Sequence, residues 1–589
     1  MADKGGTPFG SAIEDALPGV EKAVEIRRGL VAGGQEEFLP DLATALNNLS
    51  AMLSGLGRHE DALAAIDEAV EARRGLAAER PDAFLPDLAT ALNNQSLMLS
   101  DLGRRESALT AIDEAVEIYR ALASARPDTF VPNLATALNN RSLRLSALGR
   151  REDALTAIDE AVEIRRGLAS AHPEAFLPNL AMSLSNRAGC LSALGRREDA
   201  LTALTEASET YRGLVAARPD AFLPRLASSL SNQSLMLTGL RRHEDALVAI
   251  DGAVEIYRGL AAAGKDAFLP DLASALSSRS LMLGGLGCRE DALTAIDEAV
   301  EIRRGLASAR PHASLPDLAT ALGNQSGCLS GLGRHEDALT TIDEAVEIRR
   351  GLVAARPDAF LPDLATSLNN RAGCLSDLGR REDALAVIDE AVVIRRGLAS
   401  ARPEAFLPDL ATSLSNQSLM LGELERPEDA LNAIDEAAEI YRALAATRPD
   451  AFLPNLGTAL NNQSLMLSEL ARSEDALTAI DEAVEIYRRL VAIRPDAFLP
   501  NLATALNNQS NRLSDLERRE DALAAIEEAV KLVLPMLDQG HDVLQDAGLK
   551  LVQVYLRRSG EVEGDPNPDL LQRIRALLIS AGLIAEDDQ

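Results

Sequence analysis

The sequence predicts an all-α solenoid of antiparallel helix pairs, and three observations carry that prediction. A 46-residue period runs through most of the 589 residues. Inside each period, apolar residues recur at steps of three and four, the spacing of a buried helix face. With no Trp, 6 Tyr and 11 Phe, the core must come from Ala, Leu, Ile and Val, and a fixed period of this length marks stacked units that cannot bury their apolar face alone. Hydrophobic residues at 47% and charged residues at 25% exclude wholesale disorder and fibrous or collagen-like chains.

The elements follow in chain order. Residues 1–37 hold an orphan repeat helix: Val20 to Ile26 matches the run from Ile66 to Ala72, so a second helix stands without a first and is expected to cap the array. Residues 38–535 hold eleven tandem repeats, set by Phe38-Leu39-Pro40 and its successors at Phe84, Phe130, Phe176, Phe222, Phe268, Phe360, Phe406, Phe452 and Phe498, with Ser314 filling the seventh place. In the second repeat, Leu88, Leu92, Leu99 and Leu102 form the stripe of a first helix. Pro86 is expected in its first turn and Gly103 just past its end. A second helix starts near Glu106, buries Ala108, Leu109, Ile112, Ala115, Val116, Tyr119 and Leu122, and stops before Pro127, which opens a link to Phe130. Residues 536–589 are expected to cover the last repeat with two helices, Met536 to Arg558 and Pro568 to Leu583.

The run Leu46-x2-Leu49-Ser50-x2-Leu53, then Leu56-Gly57, then Ala62-x3-Ile66-x2-Ala69, resembles the tetratricopeptide repeat. Leu46, Ser50, Leu53 and Ile66 stand where that family prefers Trp, Gly, Tyr and Phe, and its repeat is 34 residues against 46 here. The long unit is similar to those of kinesin light chains and of repeat arrays in actinobacterial proteins. The resemblance covers most of the chain. It implies a right-handed superhelix whose first helices line a concave groove that binds a protein or peptide.

The helical wheel sets Thr90, Asn94, Leu97 and Asp101 opposite the apolar stripe, with Asn93 on the flank. One position is nearly uniform: Asn94, Asn140, Asn186, Asn232, Asn324, Asn370, Asn416, Asn462 and Asn508 are candidate groove residues, because an amide can hold an extended backbone without reading side chains. A ladder of amides bonding to one another is the structural alternative. The Leu97 position varies between Leu and Gly (Gly189, Gly327, Gly373), and the Asp101 position is acidic in the last repeats as Asp377, Glu423, Glu469 and Asp515. That run is expected to attract a basic segment. The resemblance also suggests a clamp for C-terminal carboxylates, but no Lys stands on the first helices, and Arg141, Arg187, Arg279 and Arg371 sit at the edge of the buried stripe, so the clamp is not carried over.

Charge and residue chemistry limit the function classes. A net charge of −31 spread evenly over the repeats, with five Lys in all, disfavours nucleic acid and anionic membrane surfaces. No apolar run is long enough for a membrane span, and the start lacks a secretory signal, so the expected location is cytoplasmic. Cys190, Cys328 and Cys374 share a repeat position, Cys288 replaces a turn residue, and His59, His243 and His335 recur in the inter-helix turn, so neither type assembles a metal set or a catalytic site. The acids of Ile66-Asp67-Glu68-Ala69-Val70-Glu71 recur in nearly every copy, the pattern of a solvated face and not of one general acid and base. No cofactor motif is present. The reading is a non-catalytic scaffold for a protein or peptide. The alternatives are a regulatory array that controls a separate effector and a self-assembling element; single-stranded RNA would need positive charge along the groove. At the seventh repeat, His312-Ala313-Ser314 replaces Asp-Ala-Phe, and a softer joint is expected there.

Overall fold

The computed structural model describes residues 8–538, 542–562 and 567–580. Among them are 25 α-helices, two short 3-10 turns and no strand. They fall into two compact units, Met1–Leu306 with repeats one to six and Ala307–Gln589 with repeats seven to eleven. Within each unit consecutive helices pack in antiparallel pairs, and successive first helices also touch one another, which gathers them on one face.

Each helix pair closes on small residues. Ser50, Ala62, Ser96 and Ala108 are fully buried; a serine at such a crossing can satisfy its hydroxyl either across the pair, as Ser280 Oγ donates to the Ala292 carbonyl at 2.7 Å, or within its own helix, as Ser50 Oγ donates to Asn47 O at 2.8 Å. The turn between the pair is a Schellman cap in which Arg104 N donates to Leu99 O at 2.8 Å and Gly103 N to Ser100 O at 2.9 Å. Gly103 takes φ +71 there, but Arg241, Glu425, Ala471 and Glu517 hold the same left-handed turn without being glycine.

Three boundaries differ from the sequence expectation. The first helix of the second repeat begins at Pro81 and runs to Asp101, so Pro86 lies inside it, and the stretch from Pro127 to Phe130 is the opening turn of Pro127–Ala147, not a link. The second helix ends at Ala125, and Arg126 N still donates to Leu122 O, so the chain turns over one residue and Pro127, free of any N–H to satisfy, starts the next helix at once. Where that Arg-Pro pair is missing, as at Gly33-Gly34 and Gly264-Lys265, the glycine goes to positive φ, a 3-10 turn follows and the helix starts only at Leu39 or Leu269. At the far end, the second helix of repeat eleven runs from Arg519 through Pro535 to Asp538, so Met536 belongs to it; the next two helices are Asp542–Ser559 and Pro568–Ser580. Residues 581–583, placed in the last helix by the sequence, lie outside the described residues. The orphan N-terminal helix spans Pro8–Ala32 and buries Leu17 and Val24 against the first repeat.

Candidate functional site

The first-helix face is built from the amides inward. Asn94 Nδ2 donates to Asn47 Oδ1 at 3.0 Å, Asn140 to Asn93 at 2.9 Å, Asn186 to Asn139 at 3.0 Å, Asn416 to Asn369 at 3.2 Å and Asn508 to Asn461 at 2.9 Å. These five amides are rungs between neighbouring repeats, and each has spent a donor on the fold. The ladder fails where the preceding repeat offers no amide. Ser185 precedes Asn232 and Ser415 precedes Asn462, and both serines turn back to their own helix, on Ala181 O and Ala411 O. Gly323 precedes Asn370 and offers nothing. Asn232, Asn324 and Asn370 are exposed, whereas the rungs are half-buried.

At that break in the second unit lies a cleft of about 460 Å³. Gly323, Gly327 and Gly373 leave its walls without side chains, and a Cβ on any of them would meet no neighbour within 4 Å. Asn370 and Asn416 reach it from above, Leu419 and Met420 supply apolar surface, and Asp377 and Glu423 stand at its rim. Four of the sequence candidates, Asn370, Asn416, Asp377 and Glu423, thus meet at a cleft that only the stacking of three repeats creates.

The carboxylates are not alike. Asp377 Oδ2 lies 3.5 Å from His335 Nδ1, and Glu423 accepts from Ser376 Oγ at 3.1 Å with Arg381 Nε at 3.6 Å. Asp515 accepts from Ser468 Oγ at 3.4 Å and lies 3.6 Å from Arg512. At Glu469 the matching place on the preceding repeat is Pro427; this carboxylate is exposed and, among the described residues, has no ion pair.

The acids expected on a solvated face do keep much of their side chains in solvent and also form joints between repeats. Asp67 accepts from Gln95 at 2.7 Å, Asp113 from Arg141 at 2.6 Å and Asp159 from Arg187 at 2.5 Å, while Arg28, Arg74 and Arg120 pair with Glu68, Glu114 and Glu160. Each acid pairs with the repeat beside it because a shift of 46 residues brings the same helix surfaces together. Arg141, Arg187, Arg279 and Arg371 therefore serve the stack.

Sequence reasoning placed Tyr119 in the buried face of the second helix but missed the arginines that share its position. The second-helix position that holds Tyr119, Tyr211, Tyr257, Tyr441 and Tyr487 holds Arg73, Arg165, Arg303, Arg349 and Arg395 in the other full repeats, every one of them buried. Tyr119 and Tyr441 share their hydroxyls with Thr90 and Thr412 at 2.8 and 2.9 Å, and the arginines donate to a carbonyl fourteen residues on, Arg73 to Asp87 O and Arg349 to Asp363 O. The signal was present: Arg73, Arg303, Arg349 and Arg395 are each followed at that spacing by Asp87, Asp317, Asp363 and Asp409, and Tyr119, Tyr441 and Tyr487 by Asn133, Asn455 and Asn501.

Residues 42–77, 88–128, 134–174 and 364–401 match the family model described as tetratricopeptide repeat. The repeats in these segments are TPR-like. Three more segments, 269–311, 446–490 and 498–540, match the model described as anaphase-promoting complex subunit 5. No curated protein matches the sequence. Among solved structures the chain is similar to BtubC (BKLC) from P. vanneervenii, with 20% identity, 42% of this chain and 92% of that one covered and a TM-score of 0.36. It is similar to a protein described as a kinesin light chain with nearly identical TPR-like repeats from Podosopora anserina, with 14% identity, 38% and 98% covered and a TM-score of 0.31. The apo quorum sensor NprR from B. thuringiensis matches with 15% identity, 64% and 97% covered and a TM-score of 0.40. Among the described residues, no helix is long and apolar enough to cross a membrane, and no group of three or more His, Cys, Asp or Glu could hold a metal ion. Cys190 and Cys374 are buried and Cys328 half-buried; Cys374 Sγ shares a hydrogen bond with Ser326 Oγ at 3.5 Å.

Proposed function

We propose that this chain of TPR-like repeats is a non-catalytic scaffold whose first-helix face binds an extended protein or peptide segment, with a basic residue directed to the carboxylates of the second unit. The supporting observation is the cleft of repeats seven to nine, where Asn370 and the side-chain-free walls at Gly323, Gly327 and Gly373 leave an amide unspent by the ladder. An exposed amide can donate to and accept from a peptide backbone, and the neighbouring carboxylates favour a cation. Ladder amides such as Asn94 and Asn140 are structural in this reading, so the recognising set narrows to Asn370, Asn232 and Asn324, with Glu469 as the carboxylate lacking a counter-ion.

The test is affinity capture from the native host with mass spectrometry, run beside Asn370→Ala, Glu469→Gln and, as a ladder control, Asn140→Ala. A protein partner lost with Asn370→Ala and weakened about two- to fivefold by Glu469→Gln at low salt supports the reading. A partner kept by both variants moves binding away from this face.

A further inference from the structure

The buried stripe of arginines has one exception. In the first unit, Arg165 is followed fourteen residues on by Asn179, where Arg73, Arg303, Arg349 and Arg395 are followed by an aspartate. Arg165 is also the most enclosed of them, 2% exposed. Its Nη1 is spent on the Asn179 carbonyl at 2.9 Å and the Ser183 hydroxyl at 2.5 Å. Its Nη2 carries two protons and makes one long contact, 3.4 Å to Thr136 Oγ1. Every partner is neutral. A buried cation without a counter-ion is costly, and burial pushes this guanidinium down to about 10 with no carboxylate to oppose it, whereas Asp87, Asp363 and Asp409 oppose the same effect at Arg73, Arg349 and Arg395.

The guanidinium lines a cavity of about 250 Å³, walled by Thr136, Asn133, Asn179 and Tyr119. We propose that this cavity is a carboxylate site in which a ligand's anion occupies the counter-charge place left vacant by Asn179 and bonds the spare Nη2 proton of Arg165. Charge-assisted bonds to an enclosed guanidinium are the strong kind, and the cavity is also lined by Asn93 and Thr90 of the first helices, so a segment bound along them could insert an acidic side chain there. The site is chemically opposite to the acidic cleft of the second unit and does not depend on it.

The other repeats supply the controls. Asn179→Asp installs the carboxylate that four sister repeats carry, and Arg165→Tyr installs the residue that five carry, so both variants keep sequences this fold already uses. The full chain and both variants are titrated calorimetrically with acetate, with a blocked tripeptide bearing a central aspartate, and with its asparagine counterpart, while circular dichroism checks the fold. Saturable binding of acetate, reduced at least about tenfold in both variants, supports a site for small free carboxylates. Binding of the aspartate peptide alone, reduced likewise and absent for the asparagine peptide, supports an acidic side chain as the source. Binding of neither, or equal binding by Asn179→Asp, overturns the proposal.

Discussion

Single positions show how little one residue has to change to alter this array. The inter-helix turn needs a left-handed residue, and seven repeats supply glycine at φ between +71 and +79. Ala471 occupies the turn at φ +55, where a Cβ crowds the following carbonyl at a cost of about 1–2 kcal/mol that glycine avoids. Part of that gain is lost to the greater unfolded-state freedom of glycine, so Ala471→Gly is expected to raise stability by about 0.5–1 kcal/mol. Urea unfolding of the two proteins measures it, and an unchanged or lower midpoint contradicts the strain. The Arg–Asp and Tyr–Asn pairing along the second helices belongs to this scale as well. A guanidinium brings a charge that wants a carboxylate nearby, and a phenol does not.

At the scale of the helix, the Phe that marks each repeat is less a core residue than a half-buried one. Phe130 and Phe222 are buried, but Phe84, Phe176, Phe360 and Phe406 keep part of their ring in solvent, and Arg80, Arg126, Arg356 and Arg402 lie over the rings of Phe84, Phe130, Phe360 and Phe406 at 4.8 to 5.5 Å. A fully buried ring would therefore overstate what is missing at Ser314. Burying half a ring and seating one cation is worth about 1–2 kcal/mol. Ser314→Phe is accordingly expected to slow amide exchange across the opening turn of Pro311–Gly331 by about tenfold, read by mass spectrometry. Exchange that starts no faster than in the Pro357–Asp377 helix removes the idea of a soft turn. The chain also divides into its two compact units just before this turn, at 306 and 307.

For the molecule as a whole, the repeats are joined by three recurring kinds of contact: the amide ladder where an Asn stands opposite, the Asp–Gln or Asp–Arg bond, and the Arg–Glu pair. Stability in such an array is a sum of repeat and nearest-neighbour terms. Deleting one period inside the second unit, residues 449–494, should leave a folded chain. It brings Arg448 directly before Pro495, in register with the arginine-proline junction already used. Circular dichroism should keep its helical signature, and the urea m-value should fall by about a tenth, in proportion to the surface removed. A molten or aggregated product would show that the joints are not interchangeable. The surface pairs that repeat along the array add little singly, so an even spread of acid and base sets solubility more than stability.

Period, helix faces and the absence of an active-site motif were all legible in the sequence, because each depends on residues close in the chain or on their recurrence. Pro86 misled about the helix start since a proline reports only that φ is fixed, and it took the single-residue turn at Arg80 to show that the helix had begun five residues earlier. The candidate amides were readable as a row, but not which of them were occupied. That depends on the residue of the preceding repeat that arrives opposite each one, an Asn at 47, a Ser at 185 or a Gly at 323. The cleft at Asn370 and the enclosed guanidinium of Arg165 exist only after neighbouring repeats are packed. The sequence by itself determined a helical repeat array of one chemistry, while tertiary structure decided which polar groups remain free, because hydrogen bonds between repeats consume donors that the chain alone presents as equivalent.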